Sequence, residues 1–188
     1  MSSSHTYPAR VPLSGNAALA AGALIQAALG VEFIFAGLSK AVDPDYAQQF
    51  SSFVSGSPGS TSGPLALAIQ TLVLPNIDLV GQVAKYTELL AGSVLLVTAL
   101  EVARRRLRGP IGVQHGYEPL AALLSSAAAF ALAGMSLGIY LIEDGSIPSI
   151  SAGYAFSSPI AIQLLIVPLA LGIAWLEFGR FLVLRRGT

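Results

Sequence analysis

The chain has 188 residues, of which 54% are hydrophobic and only 11% charged, whereas a soluble domain carries about a quarter charged residues. A mean hydropathy of +0.70, with the apolar residues gathered in long blocks, excludes an ordinary soluble domain. The net charge of zero suggests no nucleic-acid partner, and the absence of cysteine excludes thiol–disulfide chemistry, thiolate metal sites and covalently held haem within the chain.

A bilayer core about 30 Å thick needs roughly 20 apolar helical residues to cross it. The first segment of that length runs from Asn16 to Leu38 and ends at the turn Asp43–Pro44. It is too long for the apolar part of a cleaved leader, and it carries Glu32 near its far end. Gly15, Gly22, Gly30 and Gly37 recur every seven or eight residues along it, a stripe on which a neighbouring helix can pack closely. Residues 41–82 then form the only long loop. Within it, Asp45–Val54 predicts a short helix with Tyr46, Phe50, Phe53 and Val54 on one face, where the aromatic rings suit the headgroup level. A polar, turn-rich stretch from Ser55 to Pro64 follows. Leu65–Leu74, closed by Pro75, is too short to span and predicts an interfacial or re-entrant helix. The loop reads either as a lid over the bundle or as one wall of a site for a lipid-soluble ligand.

The second span is Val83–Ala103, with Lys85 and Glu88 in its first turns and Glu101, next to the arginine run, read as a surface residue. The third, Leu120–Ile142, holds Gly134 and Gly138 in a small-xxx-small pattern and predicts a contact face there, for the bundle itself or for docking to a neighbouring subunit. The fourth, Ile160–Leu184, carries Gly172 and Gly179, an internal Pro168 that predicts a kink, and a Glu177/Arg180 pair at helical spacing. Gly109–Pro110 and Ser158–Pro159 mark the starts of the last two. The reading is therefore an all-α integral membrane four-helix bundle, a single transmembrane domain over residues 1–188. Its long outer loop contains short interfacial helices.

Arginine placement sets the orientation. Arg10, the run Arg104, Arg105, Arg106 and Arg108, and the tail with Arg180, Arg185 and Arg186 share a side, while Asp43, Asp45, Asp78, Glu143 and Asp144 fall opposite. The positive-inside rule puts both termini in the cytoplasm, in a plasma or inner membrane. His5 and His115 lie outside the spans, so an intramembrane bis-histidine haem is not expected, and no metal site is read.

Charges inside spans are costly and mark function by default. The first span runs outward and the second inward, so Glu32, Lys40, Lys85 and Glu88 all fall in the outer half of the membrane. They are expected to face one another, either as an ion-paired clasp or as a polar pocket for a quinone head group.

The run from Gly30 to Pro44, with Glu32, Gly37, Lys40 and Asp43, resembles the first helix of the DoxX/DoxD-like membrane proteins. Pro75–Asn76 followed by Glu88 and Gly92 resembles their second helix. Four spans and a long first outer loop are also similar. The resemblance is clear over the first two helices and weak over the last two. That family includes the small subunit of thiosulfate:quinone oxidoreductase. The resemblance implies a membrane subunit of a quinone-linked oxidoreductase or electron-transport complex, binding quinone or anchoring a redox partner. It transfers no catalytic residue, and a thiosulfate dianion would find only Lys40 and Lys85 as cations near the outer face. The alternative is a non-enzymatic accessory subunit of a larger membrane complex, contacting lipid or pigment. The absence of an internal repeat argues against a transporter. Whether the chain is itself an enzyme stays open at this point. Its expected partners are membrane lipids and other membrane or redox subunits.

Overall fold

The computed structural model describes residues 13–63, 65–108, 118–143 and 160–186. Arg10, His5, His115, Asp144 and the turns at 109–110 and 158–159 lie outside the described residues, as do the surroundings of Gly15 and the side chains of Arg105, Arg106, Arg108 and Arg186.

Helix α1 (Leu13–Val42) is followed by α2 (Tyr46–Gly56), α3 (Pro58–Thr61), a single turn α4 (Ala66–Ala68), then α5 (Ile77–Arg108), α6 (Glu118–Glu143) and α7 (Ile162–Arg186). The described residues contain no strand. Four helical runs are long and apolar enough to cross a membrane: Ala17–Val42, Ala66–Arg104, Glu118–Glu143 and Ile162–Arg185. Helices are the form in which such segments satisfy their own backbone groups in lipid. The chain is thus a multi-pass membrane protein built as an all-α four-helix bundle.

The second span differs from expectation. Pro75 does not close a separate interfacial helix; the chain stays helical from Ala66 into α5 through a π-helical turn (Ile69–Val73) and a 3₁₀ turn (Leu74–Asn76). Pro75 lacks an N–H, so the regular ladder cannot pass through it. The wider turn instead lets the Leu74 N–H bond to the Ile69 carbonyl, and the Asn76 amide donates to the Leu72 carbonyl at 2.9 Å. The 32 residues of α5 rise about 48 Å at 1.5 Å per residue, more than the hydrocarbon core needs. Its first turns are therefore free to meet α2.

In that loop α2 forms as its apolar spacing predicts. Val54 is fully buried, and the Tyr46 hydroxyl donates to the Gly81 carbonyl of α5 at 3.1 Å. Phe50 packs over Gly81, where a Cβ would come within 3.0 Å of the ring. Of the aromatic face, Tyr46 and Phe50 dock on α5 while Phe53 stays exposed. The polar stretch after it is compact too. The Ser57 and Ser60 hydroxyls cap the carbonyls of Val54 and Ser57 at 2.9 and 2.7 Å, and Gly59 lies against the backbone of Leu141 and Ile142 at the end of α6. Residues 46–61 thus cover one end of the bundle.

The bundle is two tight pairs, α1 with α5 and α6 with α7, joined mainly by α5 on α6. Glycine sets the first pairing. A Cβ on Gly30 would come within 2.8 Å of the Leu96 nitrogen and 2.9 Å of the Gly92 carbonyl oxygen, so the two backbones touch because neither has a side chain there. Gly37 packs on Leu89 and Gly22 on Leu176 of α7. Gly134 and Gly138 are not packed within the bundle: among the described residues nothing lies within 4 Å of a Cβ at either, which leaves docking to a neighbouring subunit as the remaining form of the expected contact face. The buried face of α6 is instead Ala122, Ser125, Ser126, Ala129, Leu132, Ala133, Ser136 and Tyr140. Alanine and serine are small enough for the same close approach, and the glycines fall off that stripe. Gly172 and Gly179 likewise contact nothing within 4 Å. Pro168 lies inside α7, which continues through it.

Candidate functional site

Lys40, in the last turn of α1, reaches Glu88 on α5. Its Nζ lies 2.9 Å from Oε1 and 2.7 Å from Oε2, and 3.5 Å from the Ala36 carbonyl. Glu88 is buried, with 3% of its side chain exposed, against 29% for Lys40. The antiparallel α1–α5 pairing produces this match, because contact at Gly30–Gly92 and Gly37–Leu89 brings the end of α1 level with the early turns of α5. The two short contacts to one carboxylate make a charge-assisted pair that compensates for Glu88's loss of water.

Lys85 stands next to this pair without joining it. Its ammonium lies 5.8 Å from the Tyr46 ring centroid and 5.2 Å from that of Tyr86, within cation–π range. Burial and, to a smaller extent, the Glu88 charge push the Tyr46 phenol up to about 12. Glu32 is not part of the cluster, contrary to expectation. Its side chain is exposed, because it lies two residues, or about 200° of helix, from the Gly30 face that meets α5.

Lys40 borders an open cleft of about 580 Å³ lined by residues of α1, α2, α6 and α7. Its polar wall includes Ser39, Lys40, Asp43 and Gln49, and its apolar wall includes Phe50, Phe53 and Ile139. The polar groups are held in place. The Asp43 carboxylate accepts from the Asp45 N–H at 2.9 Å and the Gln49 amide at 3.0 Å, and Glu143 accepts from Gln163 at 3.1 Å. Ring faces and fixed hydrogen-bonding groups together suit a flat, partly polar head group carrying an apolar tail.

The sequence reading missed a second polar centre. Gln26 is fully buried, and its amide donates to Ser125 at 2.9 Å, while the Thr98 hydroxyl lies 3.3 Å from the same Ser125 oxygen. The Gln26 side-chain oxygen has no partner. A signal was present: Gln26 lies four residues from both Gly22 and Gly30, on the packing stripe. This centre joins three helices within the core. Glu177 and Arg180 pair along α7 at 3.2 Å, as their spacing predicts. Glu101, half-buried at the start of the arginine run, is bound by Arg104 through two contacts of 2.8 Å. These two residues lie at one edge of an apolar groove of about 720 Å³ between α5 and α6. Among the described residues, no cluster of three His, Cys, Asp or Glu could hold a metal ion.

Fold and cleft together define a multi-pass membrane protein with an amphiphilic cleft at one end of a four-helix bundle. No family model matches the chain, and no curated protein or solved structure matches it either.

Proposed function

We propose that this chain is the membrane subunit of a quinone-linked oxidoreductase or electron-transport complex, and that its cleft takes the quinone head group while a partner subunit carries the electrons. One observation carries this reading: Lys40 borders an amphiphilic cleft while its charge is balanced by the buried Glu88. Two of its donors are spent on Glu88, and the third reaches the Ala36 carbonyl only at 3.5 Å, so that donor is free to turn to a quinone carbonyl. Phe50 and Phe53 offer ring contacts, and the tail runs into lipid. The resemblance of the first two helices to DoxX/DoxD-like proteins agrees with it. By the positive-inside rule the Arg104 end faces the cytoplasm, in a plasma or inner membrane, and the Lys40 end faces outward.

The test is calorimetric titration of the purified chain with decylubiquinone. Saturable binding by the wild type and its loss in a folded Lys40→Met variant are expected. No saturable binding, or undiminished binding in Lys40→Met, would refute the reading. A second reading, a non-enzymatic accessory subunit contacting lipid or pigment, draws on the apolar α5–α6 groove, which has the lining of a site for an acyl or isoprenoid chain.

A further inference from the structure

Glu32 calls for an account of its own. It is exposed, and it lies ten residues before Val42, the end of α1. At 1.5 Å per residue that is about 15 Å inside the span, near the middle of a hydrocarbon core about 30 Å thick. A carboxylate at that depth is costly in lipid and belongs in a water-filled space or against a partner group.

The helix geometry says which space is nearest. Glu32, Ala36 and Ser39 are spaced i, i+4 and i+7, so they form one line along α1, and Asp43 follows just past its end. Ala36, Ser39 and Asp43 all line the cleft. Glu32 is therefore the next residue inward on the cleft's own wall. Val31 and Phe35, 42% and 66% exposed, lie to the other side of that line. Further along α1, at Gly22, a Cβ would come within 3.0 Å of Leu176 of α7, so the seam between α1 and α7 is closed there.

We infer that the cleft continues along α1 as a water-accessible crevice between α1 and α7, with Glu32 at its inner end. This rests on the quinone-site reading and adds the form of the ligand. An ionised carboxylate only accepts hydrogen bonds. A ligand that displaces water from Glu32 must therefore offer hydrogen-bond donors, which the head group of a quinol has and that of a quinone lacks. Lys40, a donor, serves the oxidised form, and Glu32 holds the reduced one.

The chain has no native cysteine, which makes the test direct. Single variants Glu32→Cys, Ala36→Cys, Ser39→Cys, Val31→Cys and Phe35→Cys are treated in native membranes with an impermeant methanethiosulfonate added on the Lys40 side. Such reagents need a hydrated thiolate, so the first three should react at least about 100-fold faster than Val31→Cys and Phe35→Cys. Glu32→Cys reacting as slowly as Val31→Cys would overturn the crevice, whether lipid or a partner helix covers the site. Protection of Ser39→Cys by decylubiquinone reports the quinone site independently of that result. In a Glu32→Leu background, decylubiquinol should protect Ser39→Cys about tenfold less well, the loss of one charge-assisted hydrogen bond, while decylubiquinone protects as before. Equal effects on both ligands would overturn the assignment of Glu32 to the reduced form. Glu32 is exposed and lies off the Gly30–Gly37 face that packs on α5, so folding is not at stake in this variant.

Discussion

Removing one partner of the Lys40–Glu88 pair should cost different amounts depending on which partner goes. In Lys40→Met the carboxylate of Glu88, 3% exposed, keeps its burial and loses two contacts of 2.9 and 2.7 Å. Stranding a buried charge in this way costs about 3–5 kcal/mol. In Glu88→Gln the stranded group is Lys40, 29% exposed and facing the cleft. It can turn toward water there, and glutamine still offers it one acceptor, so the cost falls to about 1–2 kcal/mol. The double variant Lys40→Met/Glu88→Leu leaves no charge behind and should return to within about 1 kcal/mol of the wild type. The measurement is equilibrium unfolding in micelles, followed by circular dichroism, for all four proteins. A Glu88→Gln loss as large as that of Lys40→Met would refute the reasoning. So would a double variant that loses as much as Lys40→Met, since removing the stranded carboxylate would then restore nothing.

Two further expectations follow from the same structure. Gly30→Ala should destabilise the bundle by about 1–3 kcal/mol, because its Cβ meets the α5 backbone. Gly134→Ala, in open space, should be neutral or stabilising by up to about 1 kcal/mol; detergent melting of both variants checks the contrast, and the reverse order would contradict the packing. Tyr46 should titrate at about 12, above the ordinary tyrosine value of about 10. A phenol whose folded pKa is raised contributes stability that is complete below about pH 10 and lost as the pH rises through about 12. The wild-type minus Tyr46→Phe ultraviolet titration should show that late phenolate, and Tyr46→Phe should lose less stability than the wild type across the same range.

The sequence carried the spans, the pairing of α1 with α5 and the meeting of Lys40 with Glu88, because these depend on hydropathy, glycine spacing and depth. Depth alone misplaced Glu32. Two residues can share a level in the membrane and still face different ways, and azimuth is what decides contact. The azimuth was available, since Gly30 and Gly37 mark the α5 face and Glu32 lies about 200° from the first. Gly134 and Gly138 stay off the contacts within the chain for another reason. In a helix made largely of alanine, serine and glycine, composition offers several close-packing stripes, and only the partner helix selects one. Pro75 was read as a helix end because its missing N–H breaks the regular ladder. A wider turn supplied by the residues before it was not legible from spacing.

The position of the cleft follows from how the two helix pairs are joined. Lipid gives helices no hydrophobic reason to associate, so a seam closes only where small residues or hydrogen bonds close it. Along the seam between the pairs, Gly22 admits Leu176, Gln26 reaches Ser125, and the Thr98 hydroxyl lies 3.3 Å from the same serine. Beyond Phe33, which is buried in the core, the corresponding face of α1 carries Ala36 and Ser39, with Asp43 just past its end, and these line the cleft. The gap that remains is roofed by α2 and α3, whose own hydrogen bonds and contacts tie them to α5 and α6. A fully closed seam would have buried Lys40 with Glu88 as a purely structural clasp. Leaving it open at this end keeps the pair balanced for folding and still places one of its members at the wall of a ligand-sized space.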